Sequence, residues 1–295
     1  SVRSLAGRGF LCRLENKFER KLRDAAWMIA RLLAARTDQE VRMKLLEGKS
    51  IIITGASSGI GRSAAIQFAD HGANLVLISR GRDALNEVAE TINGKGGTAL
   101  AYAGDIRDAA THEGAVDLAM NRFGQLDGAF NNAGTVGSPA LFADLEIAEW
   151  ENVLTTNLTS AFLAARAQIP ALLEGSGGSL VFTSSFVGTS VGLMGMGAYA
   201  SAKSGLGGLV KSITADYAHR GIRANTLLPD GTDTAMAGDE GNREWAASLH
   251  PVGRIAHPDE IASAALFLLS DMASFVIGSQ LWADGGNSAT KLPSV

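Results

Sequence analysis

Residues 50–61, Ser-Ile-Ile-Ile-Thr-Gly-Ala-Ser-Ser-Gly-Ile-Gly, decide how this chain folds. The apolar, β-branched residues 51–53 predict a buried strand, and the pattern of residues 62–71 predicts a helix directly after the glycines. A strand, a glycine-rich turn and a helix in this order form a cradle for a dinucleotide pyrophosphate. The glycines let the backbone approach the phosphates, and the helix N-terminus supplies unpaired N–H groups and the positive end of its dipole. The spacing of Gly55, Gly59 and Gly61 is one residue longer than the common dinucleotide fingerprint.

A second motif is the pair Tyr199 and Lys203, four residues apart in a segment that predicts a helix. Residues at this spacing lie on one face of a helix, so the phenol and the ammonium point the same way. A free tyrosine has a pKa of about 10, and a fixed cation beside it is expected to lower that value toward neutral pH. Taken alone, the pair also fits an ordinary solvated helix face. The glycine-rich turn favours a catalytic role.

Together these motifs resemble the short-chain dehydrogenase/reductase family, in its classical branch. The resemblance covers residues 43–291 and includes further motifs in the family's order. These are Asn131-Asn132-Ala133-Gly134, Asn157, Ser185 and Ala283-Asp284-Gly285-Gly286. The resemblance implies a Rossmann-like, doubly wound and mostly parallel seven-stranded sheet. It also implies a homotetramer, or a homodimer, in which the helices that carry Asn157 and Tyr199 pack across a two-fold axis.

Strand and helix patterns alternate along the chain from residue 49, which by itself predicts an α/β fold with a mostly parallel sheet covered on both faces. The predicted strands are residues 50–54, 74–79, 99–103, 128–131, 179–183, 223–227 and 280–282. The predicted helices are residues 62–71, 83–93, 109–123, 150–173 and 258–270. We therefore predict a single dinucleotide-binding domain over residues 43–295, preceded by a helical N-terminal extension.

Composition excludes several classes of protein. The 295 residues are 46% hydrophobic and 19% charged, which suits one large core, and the net charge of −4 gives no reason to expect nucleic acid. The single cysteine, Cys12, excludes an internal disulfide and suits a reducing compartment, so we expect a cytoplasmic protein. Five scattered histidines predict no metal site. No apolar run reaches the roughly 18 residues that a membrane span needs.

The extension, residues 1–42, is basic and amphipathic. It carries ten Lys and Arg against five Asp and Glu, a net charge of +5, so residues 43–295 carry −9. Apolar residues recur every three to four positions, as on the surface of a helix. The extension could be a membrane-surface helix or an organelle-targeting segment, but its acidic residues weaken the second interpretation. The alternative is that it is dispensable, either foreign to the native protein or translated ahead of a native start at Met43.

The resemblance assigns most of a cofactor site by position. The pyrophosphate turn comprises Gly55, Ser57, Ser58, Gly59, Ile60 and Gly61. The remaining positions are Asp105 and Ile106 at the adenine, Asn132, Ala133 and Gly134 near the nicotinamide ribose, and Pro229, Thr232 and Thr234 after the sixth strand, together with Tyr199 and Lys203.

The end of the second strand selects between the two nicotinamide cofactors. NAD-preferring family members hold the adenosine ribose with an acidic residue there, whereas this chain has Ser79 followed by Arg80. A small neutral residue and a guanidinium suit a 2′-phosphate, which predicts NADP(H). The alternative is that Arg80 belongs to a solvated basic turn.

The catalytic set implied by the resemblance is Ser185, Tyr199, Lys203 and Asn157. Tyr199 exchanges the proton, Lys203 lowers its pKa and binds the ribose, Ser185 bonds the carbonyl oxygen, and Asn157 holds a water that links Lys203 to solvent. Ser184 competes with Ser185, but only Ser185 is followed at the family's distance by a glycine. No His and Asp arrangement supports a hydrolase triad.

These assignments predict an NADP(H)-dependent alcohol dehydrogenase or carbonyl reductase acting on a small-molecule alcohol, ketone or aldehyde. The alternatives are a 3-oxoacyl-carrier-protein reductase, although residues 172–175 offer no basic patch for the carrier, and a non-catalytic dinucleotide sensor. Asp230 departs from the glycine that usually follows the proline at this point. Residues 235–250 form the predicted substrate lid, with Trp245 as its anchor. The apolar residues Phe186, Val187, Leu193, Met194 and Met196 form either a substrate wall or ordinary packing.

Overall fold

The apolar run before the glycine-rich turn forms a strand, β1 (Ser50–Thr54), in which every residue is buried. The structure is a computed structural model, and it describes residues 44–290. Successive side chains of a strand point to opposite faces of the sheet. Ile51 and Ile53 accordingly join one hydrophobic cluster and Ile52 joins the other. A strand that is apolar on both faces belongs in the middle of a sheet covered by helices on each side.

Seven strands form one sheet. After β1 they are β2 (Asn74–Ser79), β3 (Thr98–Ala103), β4 (Gly128–Asn131), β5 (Gly178–Thr183), β6 (Ile222–Pro229) and β7 (Gln280–Ala283). Their order across the sheet is β3-β2-β1-β4-β5-β6-β7, and every pairing is parallel. The direction of winding reverses between β1 and β4. In open sheets of this kind, ligands bind at the carboxyl ends of the strands beside that reversal.

Helices cover both faces of the sheet. They are α1 (Gly59–Asp70), α2 (Arg82–Gly94), α3 (Ala109–Phe123), α4 (Ile147–Leu154), α5 (Ser160–Glu174), α6 (Gly197–Tyr217), α7 (Glu240–Leu249) and α8 (Pro258–Leu269). Buried residues of α1, α2 and α8 pack with Ile51 and Ile53, and those of α3, α5 and α6 pack with Ile52. The predicted doubly wound, parallel seven-stranded sheet is therefore confirmed.

The helix predicted over residues 150–173 is wrong in one respect, because it is interrupted. Between α4 and α5 the backbone forms a π-helical segment, Thr155–Thr159, that contains Asn157. The Asn157 side chain donates a hydrogen bond to the carbonyl oxygen of Val153, four residues earlier. A side chain that bonds the preceding turn competes with the regular helical pattern, and π-helical turns are frequent at functional sites.

The predicted N-terminal extension, residues 1–42, lies outside the described residues, so its helix and its dispensability stay predictions. The described part starts at Lys44, and Leu46 is already fully buried in the core. Within residues 44–290, no helix has both the length and the apolar character needed to cross a membrane.

Candidate active site

The glycine-rich turn between β1 and α1 is shaped by close backbone approach. Gly55 has a φ of +70°, and a Cβ there would lie 3.1 Å from the Cα of Ala133. A Cβ on Gly61 would collide with the Gly55 carbonyl oxygen, and one on Gly59 would lie 3.0 Å from the Thr234 methyl group. Helix α1 begins at Gly59 after Ser58, which makes no side-chain capping bond. The first N–H groups of α1 therefore face a narrow glycine-lined cradle, which fits a dinucleotide pyrophosphate.

The segment after β4 is held against β1 by a residue that the sequence motifs did not single out. The Thr54 hydroxyl oxygen accepts hydrogen bonds from the backbone N–H of Asn132 at 2.9 Å and of Ala133 at 3.0 Å. The Asn132 side chain in turn accepts a bond from the Thr183 hydroxyl at 3.2 Å. These bonds join the carboxyl ends of β1, β4 and β5 at the point where the winding reverses.

Asn157 holds the same segment from the opposite side. Its amide nitrogen donates to the carbonyl oxygen of Thr135 at 2.8 Å, and its amide oxygen accepts from the Thr135 N–H at 3.1 Å. Gly134 passes so closely that a Cβ on it would lie 2.5 Å from the Asn157 oxygen and 3.1 Å from the Lys203 ammonium nitrogen. The structure therefore brings Gly134, Asn157 and Lys203 together.

A small cavity of about 10 Å³ lies beside these groups. Asn157, Asn131, Thr183 and His112 are among the residues that line it. This volume corresponds to about one water molecule, and both polar and apolar side chains line it. Lys203 is not among these lining residues, so the water that the resemblance assigns to Asn157 stays a prediction.

Lys203 is buried with only 3% of its surface exposed, and its ammonium donates a 2.7 Å hydrogen bond to the carbonyl oxygen of Thr183. The ammonium nitrogen lies 5.7 Å from the centre of the Tyr199 ring. Burial lowers the pKa of Lys203 to about 8, because desolvation disfavours the charged form. The Ser184 hydroxyl donates to the Lys203 carbonyl oxygen at 2.8 Å, so Ser184 bonds backbone rather than the substrate side of the site.

Ser185 and Tyr199 are direct partners. The Ser185 side chain interacts with the Tyr199 phenol and lowers its pKa, and the Ser185 hydroxyl oxygen accepts a hydrogen bond from the backbone N–H of Val187 at 3.1 Å. Ser185 is 5% exposed and Tyr199 is 9% exposed. The chain folds this way because Ser185 is the second residue after β5 and Tyr199 lies in the first turn of α6, which packs beside that strand end. A hydroxyl and a phenol at this edge can share the oxygen of one substrate.

The expected lowering of the Tyr199 pKa is wrong for this structure. Burial raises the pKa of the Tyr199 phenol, the hydrogen bond from Ser185 opposes that rise, and the charge of Asp230 adds to it. The Lys203 ammonium points toward the Thr183 carbonyl oxygen, and it is itself desolvated. Desolvation is thus the largest influence on the phenol, and the spacing of the two residues could not reveal it.

The adenosine end of the candidate cofactor site lies at the carboxyl ends of β2 and β3. Ser79 is nearly buried and its hydroxyl donates to the Gly81 carbonyl oxygen at 3.2 Å, while Arg80 is exposed. Asp105 accepts hydrogen bonds from the Arg107 guanidinium at 2.6–3.1 Å. This pairing lowers the pKa of Asp105, and the charge of Arg80 contributes to the lowering. Besides the adenine that the resemblance assigns to it, Asp105 thus has a protein partner, Arg107, which the sequence motifs missed.

Ile106 follows Asp105 and packs against the core cluster on the α3 face. Its carbonyl oxygen lies 2.8 Å from the Nε2 atom of His112, whose pKa is lowered by burial. Ile106 and His112 therefore contact other parts of the protein. The predicted contact of Ile106 with an adenine stays a prediction.

After β6 the chain turns back toward the glycine-rich cradle. Thr232 is buried and its hydroxyl donates to the Asp230 carbonyl oxygen at 2.8 Å, while the Thr234 methyl lies against Gly59. Pro229 is the last residue of β6. The side chain of Asp230, the departure from the family pattern, is buried. It accepts a hydrogen bond from Asn287 and lies 3.3 Å from the Nε2 atom of His250, two partners that the sequence motifs missed.

Apolar side chains surround Tyr199. Val153, Phe186, Val187 and Ala198 form a buried cluster with it. Larger side chains pack around that cluster, namely Leu145, Trp150, Leu154, Leu193, Met196 and Trp282. Met194, in contrast, is 88% exposed and does not join the wall. Trp245 of α7 is 54% exposed, and its role as the anchor of the lid stays a prediction.

Known proteins match this chain, in sequence and in fold, over nearly all of the described residues. The family model described as enoyl-(acyl carrier protein) reductase matches residues 55–288. The cyclohexanol dehydrogenase of Acinetobacter sp. (strain SE19) is 36% identical over 247 residues, which cover 84% of this chain and 98% of that protein. The 2,5-dichloro-2,5-cyclohexadiene-1,4-diol dehydrogenase of Sphingobium indicum is 39% identical over 254 residues, which cover 84% of this chain and 100% of that protein.

The chain belongs to the short-chain dehydrogenase/reductase family. Among solved structures, that of levodione reductase matches with a TM-score of 0.79 at 31% identity, over 83% of this chain and 100% of that one. As a short-chain dehydrogenase/reductase related to alcohol and diol dehydrogenases, the protein is an oxidoreductase that acts on CH–OH groups and uses a nicotinamide dinucleotide. Among residues 44–290, no group of three or more His, Cys, Asp or Glu side chains could hold a metal ion.

Proposed function

We propose that this protein is an NADP(H)-dependent alcohol dehydrogenase, and a carbonyl reductase in the reverse direction, for a small apolar secondary alcohol. The observation that carries the proposal is the Ser185–Tyr199 hydroxyl pair. It lies next to buried Lys203 at the carboxyl edge of the sheet. A proton donor and a hydrogen-bond donor at one oxygen are what carbonyl reduction requires.

Each residue of the pair has a separate task in this proposal. Tyr199 takes the hydroxyl proton of the alcohol in oxidation and returns it in reduction, and Ser185 bonds the same oxygen as its charge changes. Lys203 holds the nicotinamide ribose and lies close to the Tyr199 ring. Asn157 positions Gly134 beside the Lys203 ammonium, where a water is proposed to exchange the proton with solvent. The bound cofactor supplies the hydride chemistry.

The preference for NADP(H) is supported by the charges at the end of β2. Ser79 provides no carboxylate, and Arg80 is exposed and close enough to lower the pKa of Asp105. A guanidinium gives a charge-assisted hydrogen bond to a 2′-phosphate, and a carboxylate at this position would repel it. The test is the ratio of kcat/KM for NADPH and NADH, which we expect to exceed about 10.

The substrate class is supported by the apolar surroundings of Tyr199. Val153, Phe186 and Val187 bury the ring of Tyr199, and Phe142 packs beside the start of α6, where a Cβ on Gly197 would lie 2.6 Å from it. The related dehydrogenases described above are named for a cyclohexanol and a cyclohexadienediol. Apolar walls gain about 0.8 kcal/mol for each CH₂ group that they remove from water. We therefore propose an alicyclic alcohol as substrate.

The experiment is oxidation of a panel of alcohols with NADP⁺, followed by absorbance of NADPH. The panel contains cyclohexanol, an open-chain polyol and a 3-hydroxyacyl thioester of acyl carrier protein. We expect kcat/KM to be at least about tenfold higher for cyclohexanol than for the polyol. Preference for the carrier-bound thioester would favour a carrier-protein reductase, as the description of the family model suggests. Cofactor binding with no turnover in either direction would favour a dinucleotide sensor.

Two further proposals concern the chain as a whole. Residues 1–42 are dispensable for folding, because the core begins with Leu46 and β1. Removal of the extension should leave Tm and kcat/KM unchanged, and loss of folding would show that the extension stabilises the domain. The protein is also proposed to be a homotetramer. The exposed Phe162 and Phe275 support a surface covered by another copy, and light scattering measures the mass in solution.

A further inference from the structure

A buried carboxylate stands at the end of β6, where the family usually has glycine. The Asp230 side chain is 4% exposed. One of its oxygens accepts a 2.6 Å hydrogen bond from the Gly231 N–H, and the other accepts one from the Asn287 amide at 2.5 Å. The second oxygen also lies 3.3 Å from the Nε2 atom of His250, which is 2% exposed. The carboxylate therefore joins the end of β6, the residue after α7 and the segment after β7.

The position of the His250 ring determines how many hydrogens the contact between His250 and Asp230 must contain to be favourable. Its Nδ1 atom lies 2.7 Å from the carbonyl oxygen of Ala246, and a carbonyl oxygen can only accept, so Nδ1 carries a hydrogen. A neutral imidazole has one N–H, which would leave a lone pair on Nε2 facing the Asp230 carboxylate. The contact is favourable only with a second proton, either on Nε2 or on the carboxyl oxygen.

Close packing holds the ring in this position. A Cβ on Gly231 would lie 3.0 Å from the Cε1 atom of His250, and a Cβ on Gly285 would lie 3.0 Å from its Cδ2 atom. The ring thus occupies space that two glycines on different segments leave open. Its Nε2 edge has little room to turn away from Asp230.

The charge of Asp230 matters because of what faces it. His250 contacts it from the end of α7. The residue before Asp230 reaches the segment of Ser185, since the Pro229 carbonyl oxygen accepts a hydrogen bond from the Phe186 N–H at 3.5 Å. The charges of Tyr199 and Asp284 are near enough to interact with that of Asp230. Burial raises the pKa of Asp230 and the charge of Asp284 adds to the rise, whereas Asn287, His250 and the Gly231 N–H oppose it. An unpaired Asp230 carboxylate would raise the pKa of Tyr199 and so oppose loss of the phenol proton.

We propose that Asp230 and His250 share one proton and act as a positioning pair. The pair fastens residues 232–250 to the end of the sheet and cancels the Asp230 charge that would otherwise oppose deprotonation of Tyr199. The pair is neutral as a whole, whichever of its atoms carries the proton. The kinetic part of the inference rests on the proposed alcohol dehydrogenase activity, whereas the shared proton itself does not.

The kinetic test is the pH profile of kcat/KM for oxidation of cyclohexanol with NADP⁺. His250→Gln keeps a hydrogen-bond donor but cannot carry the extra proton, so an ionised Asp230 has no positive partner. We expect the pH of half-maximal activity to rise by about 0.5–1 unit. Adding Asp230→Asn removes the charge and should return the profile to within about 0.3 unit of wild type. The matched control is His219→Gln, which removes an exposed histidine and should leave the profile unchanged.

A purely structural role would give a different pattern, since the double variant would then be at least as impaired as His250→Gln. An unchanged profile in His250→Gln, or a shift that persists in the double variant, overturns the inference. The second measurement does not need turnover and covers variants that fold poorly. In urea unfolding we expect His250→Gln to lower the free energy of unfolding, because it leaves the buried Asp230 without its partner, and the added Asp230→Asn to recover most of that loss. A double variant that is no more stable than His250→Gln also overturns the inference, even if cyclohexanol is no substrate.

Discussion

Replacing Asn157 by alanine should both lower the stability of the protein and lower its kcat. The side chain is 3% exposed and makes three hydrogen bonds, two with the Thr135 backbone and one with the Val153 carbonyl oxygen. At a net value of about 0.5–1.5 kcal/mol each, their loss lowers the free energy of unfolding by about 2–4 kcal/mol. In a domain of this size that corresponds to a decrease in Tm of roughly 5–12 °C.

The loss of activity has a separate cause. Asn157 holds the backbone of Thr135, and the neighbouring Gly134 lies against both the Asn157 amide and the Lys203 ammonium. Movement of this segment would misplace Lys203 and the wall of the small cavity. Because catalytic groups lose efficiency with small displacements, we expect kcat to fall by about 10- to 100-fold.

The assay pairs urea unfolding with kcat, measured at a temperature where every variant is fully folded. The matched control is Gln168→Ala, which breaks two buried hydrogen bonds to Asn131 without touching Asn157. We expect the control to lose comparable stability but to keep kcat within about twofold of wild type. Equal losses of kcat in the two variants would show that Asn157 acts only through stability. A loss of less than about 1 kcal/mol in Asn157→Ala would refute the three hydrogen bonds.

Three further predictions concern the proton, the cation and the cofactor. Tyr199→Phe should lower kcat by about 10²–10⁴ with cofactor affinity retained in a binding titration, and a variant that keeps a tenth of kcat contradicts the assignment. Burial lowers the pKa of Lys203 to about 8 from its usual 10.5, so the unfolded chain binds more protons between these values and stability rises there with pH. Urea unfolding of Lys203→Met should lack this rise in the free energy of unfolding, which we expect to be about 3 kcal/mol in the wild type. A variant whose stability rises with pH as much as that of wild type would refute the lowered Lys203 pKa. Ser79→Asp with Arg80→Ala should reverse the cofactor preference through a higher KM for NADPH, and unchanged ratios of kcat/KM would show that Arg80 points into solvent.

The strands could be predicted from the sequence because their signals are local. β1, β2 and β4 have the predicted bounds, and each is a short apolar run that ends at a turn or a polar motif. β6 extends to Pro229, two residues beyond the prediction. Its extra residues pair with β7, the last strand in the chain, and no pattern within β6 itself indicates that pairing.

Much of the candidate site could also be predicted, since the Gly-rich turn, Asn157, Ser185, Tyr199 and Lys203 do converge at one edge of the sheet. Their catalytic and binding roles stay predictions. The contacts that could not be predicted join distant parts of the chain. Thr54 accepts bonds from the segment after β4, 78 residues later. Spacing rules apply within a helix or a strand, and they contain no information about which loops meet at the carboxyl edge.

Protonation was the least predictable property, because it depends on burial rather than on spacing. Asp230 could be recognised as unusual in the sequence, but its partners His250 and Asn287 lie 20 and 57 residues further along. Burial disfavours the charged form, so a carboxylate that is 4% exposed binds a proton more readily than one in water. Only the fold shows which case applies.

Burial acts in opposite directions on the two ionisable groups of the proposed mechanism. It raises the pKa of Tyr199 and lowers that of Lys203 to about 8, so the neutral form of each group is favoured. A phenolate therefore forms less readily than it does in water, and positive charge beside the phenol would favour it. The same apolar cluster that desolvates Tyr199 is the surface proposed to receive the alicyclic ring. A substitution that opens this cluster to water would therefore ease deprotonation of Tyr199 and weaken substrate binding. It would raise kcat and also raise KM, two changes that act in opposite directions on kcat/KM.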